Sequence, residues 1–167
     1  MKKILFLFFS VSIFFSCNND SKVYEKNLNH FKSLIEDINI YFIDSTINNF
    51  DISSYYTEDF VFYSYPAGHK KGVETSKIDY INNLNHMKKL NMSIHIDHSI
   101  YLPGINEESH KLDGSVRVYY GATISIEKNN VEFSGYQTIN FDEGKISGIW
   151  EWADYGGVSS QLNHFMK

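Results

Sequence analysis

Apolar positions recur at helical spacing from Val23 onward. Leu28, Phe31, Leu34, Ile35, Ile38 and Phe42 fall on one side, which predicts one long or kinked amphipathic helix reaching about Ile47. Asn48-Asn49 and Asp51 supply a stop and a turn, and Ile52 to Tyr56 reads as a short helical turn. Phe60 to Tyr65 predicts an aromatic strand ended by Pro66-Ala67-Gly68. A second helix is predicted from about Val73 to Leu90, with Ile78, Ile81, Leu84 or Asn85, and Met87 on one side.

The last third changes its period from about 3.6 to about 2, the repeat of a strand with one buried face. Four runs follow. Met92, Ile94, Ile96, His98 and Ile100 are in phase in the first, which Pro103-Gly104 ends. Val116, Val118, Tyr120, Ala122, Ile124 and Ile126 are in phase in the second, and Asn129-Asn130 predicts a hairpin turn. Val131, Phe133, Gly135, Gln137, Ile139 and Phe141 align in the third, and Ile146, Gly148, Trp150, Trp152 and Asp154 in the fourth, across a turn at Asp142-Glu143-Gly144-Lys145. Short turns between such runs make an antiparallel meander. Helix, strand, helix and four strands predict an α+β domain with helices packed on one side of a curved sheet.

The N-terminus departs from this pattern. Lys2 and Lys3 precede an apolar or small-residue stretch from Ile4 to Phe15, then Ser16-Cys17 and the polar Asn18-Asn19-Asp20-Ser21. Such a stretch spans about 18 Å as a helix, short of the roughly 30 Å hydrocarbon core. The segment resembles a bacterial lipoprotein signal, although Phe14 and Phe15 stand where a leucine and a small residue are commoner. The resemblance implies cleavage after residue 16 and lipidation of Cys17, the sole cysteine, and hence an anchored domain in the bacterial cell envelope. An ordinary cleaved signal is the alternative. The expected organisation is a signal peptide at 1–16, a lipidated cysteine and tether at 17–22, and one domain at 23–167.

Charge narrows the partners. The chain of 167 residues has a net charge of −5 and a single arginine, Arg117, so nucleic acid is not expected. Loss of Lys2 and Lys3 with the leader takes 15 basic residues to 13 against 20 acidic ones, a net of −7. An acidic surface is repelled by anionic headgroups, which leaves the acyl chains as the expected membrane contact.

Further motifs carry a second resemblance. Ile40-Tyr41-Phe42 through Asn49-Phe50-Asp51, then Tyr56-Thr57-Glu58-Asp59-Phe60-Val61-Phe62, Gly72 before the second helix, and Gly144-Lys145-Ile146 through Trp150-Glu151-Trp152-Ala153-Asp154 occur in order. Together they resemble the nuclear transport factor 2-like superfamily, in particular its SnoaL-like branch. The resemblance implies a cone-shaped curved antiparallel sheet packed against N-terminal helices, whose open end receives a small and often apolar molecule. That fold hosts enzymes, binding domains and assembly modules alike.

Polar residues in phase with apolar faces are the candidate chemistry, because burying an unpartnered polar group costs about 1–3 kcal/mol. His98, Gln137 and Asp154 meet this condition on three different strands, with Tyr120, Trp150 and Trp152 as candidate walls. In the enzyme reading, an isomerase, cyclase or hydratase, Asp154 and His98 exchange the proton. In the binding reading Gln137 and the three aromatics line a small-molecule pocket. The bland alternative is that His98 and Gln137 are satisfied core polars and Asp154 ends a strand.

Strand alternation puts His95 and His98 on opposite faces, so no metal site is expected, and nothing in the sequence calls for a cofactor. A third reading is a homodimer or partner-binding module, in which Arg117, Tyr119, Thr123, Glu132, Ser134 and Tyr136 present an outward face.

Overall fold

The computed structural model describes residues 2–44, 46–47 and 51–165, with side chains described from Asp20 onward. The side chains of the leader and of Cys17, and the Asn48-Asn49 stop, lie outside the described set. Helix α1 (Lys2–Ile43) includes residues 18–22, so the expected tether is helical. Among the described residues no helix is long and apolar enough to cross a membrane.

Along α1 the stripe Phe31, Leu34, Ile38, Tyr41 and Phe42 is buried against the sheet. Its spacing repeats every three to four residues, and each such side chain contributes roughly 2 kcal/mol of burial. A 3-10 turn at Ser53–Tyr55 leads to β1 (Tyr56–Ser64) and β2 (Val73–Ser76). The start of the predicted second helix is therefore a short strand, and α2 covers Lys77–Lys89. Ser76 sets that boundary, since its hydroxyl accepts from the Asp79 N–H at 3.2 Å and caps the helix. At the other end of α2, the Lys88 ammonium donates to the carbonyls of Tyr41, Asp44 at 2.8 Å and Ile47 at 2.9 Å. It thereby satisfies carbonyls at and just beyond the end of α1 that have no further turn to bond.

Strands β3 (Met92–Ile105), β4 (Leu112–Ile126), β5 (Asn129–Asp142) and β6 (Lys145–Ala153) form the expected meander, followed by a helix, α3 (Tyr155–Phe165), that was not expected. The single sheet has the order β2-β1-β6-β5-β4-β3, with β1 parallel to β6 and every other pair antiparallel. Glu143 and Gly144, with φ of 49° and 81°, make the two-residue turn between β5 and β6. The turn between β4 and β5 is Glu127-Lys128, because Asn129 already pairs with Ile126.

The inner face matches expectation on β4 and β5: Val116, Val118, Tyr120, Ala122, Val131 and Ile139 are all buried. On β3 and β6 a bulge reverses the phase. Ile96 pairs with Ala122 and His98 with Gly121, so Asp97 is an extra residue that opposes nothing. Downstream of it Ser99 and Tyr101 turn inward, while His98, Ile100 and Leu102 turn out and are exposed. β3 is an edge strand, and the Asn39 side chain takes up both the N–H (3.0 Å) and the C=O (3.3 Å) of Ile96 beside the bulge. On β6, Phe141 pairs with Ile146 and Asn140 with Gly148, leaving Ser147 unpaired. Beyond it Ile149, Glu151 and Ala153 take the inner positions and Gly148, Trp150 and Trp152 the outer ones. Ile94, Val118 and Phe133 therefore share the inner side, and Trp150 does not.

Candidate functional site

The inner end of β6 carries one carboxylate, Glu151, and the neighbouring elements direct donors at it. Tyr120 on β4 donates its hydroxyl to Glu151 Oε2 at 2.7 Å, and Gln137 Nε2 on β5 donates to the same oxygen. Tyr155, at the start of α3, donates to Oε1 at 2.5 Å. Tyr120 sits two strands away from Glu151, and the residue between them makes the reach possible. A Cβ on Gly135 would lie 2.5 Å from Tyr120 Cζ, so only glycine lets the ring lie across β5.

Burial comes first in raising the pKa of Tyr120, of Tyr155 and of Tyr80 on α2, and the charge of Glu151 raises each further. All three phenols therefore stay protonated well above neutral pH, and Tyr120 and Tyr155 act as donors to Glu151. Tyr80 packs edge-on against Tyr56 at 5.8 Å and against Phe60 at 5.6 Å, which makes an aromatic wall on the β1 side. The result is one carboxylate that accepts from three neutral donors, Tyr120, Gln137 and Tyr155, beside an aromatic wall.

Two of the residues expected at the site are here: Tyr120 and Gln137 both touch Glu151. Trp150 and Trp152 are on the opposite face. Trp150 stacks on Tyr63 (5.9 Å, 11°) and Trp152 on Tyr65 (4.5 Å, 9°). His98 is exposed on the outer side of β3, and Asp154 is exposed beyond β6, where its Oδ1 accepts from the Gly157 N–H at 2.8 Å and caps α3. The Asp97 bulge also puts His95 and His98 on the same outer side rather than on opposite faces. His95 pairs there with Asp97 at 3.1 Å, and no group of three metal-ligating side chains occurs among the described residues.

Glu151 is the residue that a strict two-residue period hides. Its signal is the short series Ile149, Glu151, Ala153, which becomes inward only once Ser147 is treated as inserted.

The outer face is organised by cross-strand neighbours. Tyr119, Tyr136 and Trp152 face one another on β4, β5 and β6, with ring centres 4.8 Å and 5.7 Å apart, and Tyr65 completes the row. Arg117 adjoins it and donates to the Tyr136 hydroxyl at 3.5 Å. Burial pushes the Tyr136 pKa up, but the Thr138 and Arg117 donors outweigh it and hold it below the ordinary phenol value. A separate cleft of about 1030 Å³ lies between the end of α1 and α2, beside Tyr41, Asn85 and Lys88.

No family profile matches the chain, and no curated protein sequence matches it. Solved structures do. A candidate polyketide cyclase from Xanthomonas campestris pv. campestris is similar with a TM-score of 0.59 and 10% identity, over 84% of this chain and 98% of that one. A phenazine biosynthesis-related protein from Pseudomonas aeruginosa has a TM-score of 0.57 and 12% identity, over 87% and 88%. An LEH-like epoxide hydrolase from M. tuberculosis has a TM-score of 0.52 and 13% identity, over 78% and 84%. At these identities the likeness concerns architecture alone. The six-stranded curved open sheet with helices on its inner side is the α+β, nuclear transport factor 2-like cone.

Proposed function

We propose that the chain binds a small, partly apolar molecule inside the cone, with Glu151 as its polar anchor. The observation that carries this is the convergence of Tyr120, Gln137 and Tyr155 on one carboxylate under an aromatic wall. A purely structural cone has no need of a charge there, since an apolar residue of similar size fills it without desolvation cost. Native mass spectrometry of protein extracted with its ligand tests the reading. Wild type carries a reproducible small-molecule adduct and Glu151→Gln loses it; a wild-type protein that never carries one sinks the proposal.

The enzyme alternative, an isomerase, cyclase or hydratase, draws support from similar structures named for cyclase and epoxide hydrolase activity. Glu151 carries it better than Asp154 and His98, which are both exposed. In that case Glu151 exchanges a proton with the ligand, and Glu151→Gln abolishes turnover while binding changes little.

Anchoring at the bacterial envelope through lipidated Cys17 belongs to the same proposal and rests on the sequence around that cysteine. Cys17→Ser should end incorporation of a fatty-acid analogue, and labelling that persists would refute the anchor. A homodimer through the outer face is a further reading, favoured by the aromatic row with Tyr119 52% and Trp152 42% exposed. Sedimentation at high concentration decides it, and a strict monomer excludes it.

A further inference from the structure

Helix α3 is attached differently from α1. None of its residues is buried, as is also true of α2, whereas α1 fills the core. Val158, Leu162 and Phe165 rest on Met92, Ile124 and Ile126, a small apolar cluster of its own at the β4–β5 hairpin end of the sheet. A single residue, Asp154, joins the helix to β6. Its carboxylate and carbonyl hold the first turn through the N–H groups of Gly157 at 2.8 Å and Val158 at 3.0 Å. A Cβ on Gly157 would lie 2.8 Å from Asp154 Cγ, so the cap depends on that glycine, and Gly156 precedes it. The junction is thus short and glycine-rich, with Asp154 and Gly156 exposed, as a hinge requires.

From α3 the Tyr155 hydroxyl reaches into the cone, donating to Glu151 Oε1 with the Ser64 hydroxyl of β1 against the same phenol oxygen. Oε2 is already occupied by Tyr120 and Gln137, both rooted in the sheet. Oε1 is therefore the acceptor that the chain itself fills with a group from a movable element. We propose that α3 is a lid and the Tyr155 phenol an internal ligand, holding at Glu151 Oε1 the place that a hydroxyl-bearing molecule takes when the helix swings out about Asp154–Gly157. This deepens the binding reading and rests on it. The closed helix lowers apparent affinity by the fraction of time the cone is open, and the incoming molecule must present a donor, because only a donor replaces the phenol on a carboxylate.

The tyrosine side chain has a free counterpart, p-cresol, which makes the test direct. In full-length Tyr155→Ala, p-cresol should bind at least about tenfold tighter than to wild type, and at least about tenfold tighter than toluene, which lacks the hydroxyl. Adding Glu151→Gln should remove that preference. Equal binding of p-cresol to wild type and Tyr155→Ala, equal binding of toluene, or no binding to a folded variant would overturn the lid.

Should Tyr155→Ala not fold, Tyr155→Phe removes the hydroxyl alone. Amide exchange over 155–165 should then speed up by about tenfold while β4 amides are unchanged, and unchanged exchange there counts against the proposal. The two readings fail separately. A cresol site with no natural adduct in wild type leaves the lid standing and ends the binding function, and the reverse result does the opposite.

Discussion

The two faces of β6 put similar side chains to opposite uses. Inward, Glu151 gathers the hydroxyls of Tyr120 and Tyr155 and the amide of Gln137, so the tyrosines act through their polar ends. Outward, Trp150 and Trp152 meet Tyr63, Tyr65 and Tyr136 through their ring faces and edges. A glycine on a strand makes each arrangement possible: Gly135 clears the path of Tyr120 inside, and Gly148 lies beneath Trp150 outside, where a Cβ would come within 2.6 Å of the indole. A tyrosine's role here is thus decided by whether its hydroxyl meets a buried acceptor or a neighbouring ring.

Substitutions on either face sharpen that contrast. Glu151→Leu strands several donors at once and should cost about 3 kcal/mol, read as a lower urea midpoint. Gly135→Ala should cost about 2 kcal/mol by forcing Tyr120 off its position. Trp152→Leu on the outer face should cost only about 1 kcal/mol, the scale of an exposed ring pair. If Trp152→Leu proved the most damaging of the three, the inner network would not be what holds this end of the sheet.

Tyrosine titration compares the faces in another way. The lowered pKa of Tyr136 makes it ionise below the ordinary phenol value of 10.0, so Tyr136→Phe should remove the earliest part of the ultraviolet titration curve. Tyr80, Tyr120 and Tyr155 have raised values, so whatever they contribute to stability is whole below that ordinary value and is lost as pH climbs through the raised ones. Tyr120→Phe should accordingly leave the early part of the curve unchanged.

These two faces also mark how far the sequence was legible. On β4 and β5 the alternation is unbroken, and Val118, Tyr120, Phe133 and Gln137 lie where the period of two puts them. Asp97 and Ser147 are ordinary strand residues in the sequence, yet each is an insertion that turns everything after it. An unbroken period of two therefore turns His98, Trp150 and Trp152 inward and hides Glu151. The same period makes Asp154 the inward end of β6, but it lies beyond the strand and caps a helix. That helix carries Val158, Leu162 and Phe165 at helical spacing, a short signal placed after two glycines that suggest a loop. The β1–β6 parallel pair was not expected either, because period alone says nothing about which distant strands meet.

The most direct test of the account compares candidate anchors in one assay. Native mass spectra of the extracted protein, taken for wild type, Glu151→Gln, His98→Ala and Asp154→Asn under identical conditions, report which side chain the bound molecule needs. An adduct is expected in wild type, with its loss in Glu151→Gln and its retention in the His98 and Asp154 variants. An adduct that survives Glu151→Gln and disappears with His98→Ala or Asp154→Asn would contradict it.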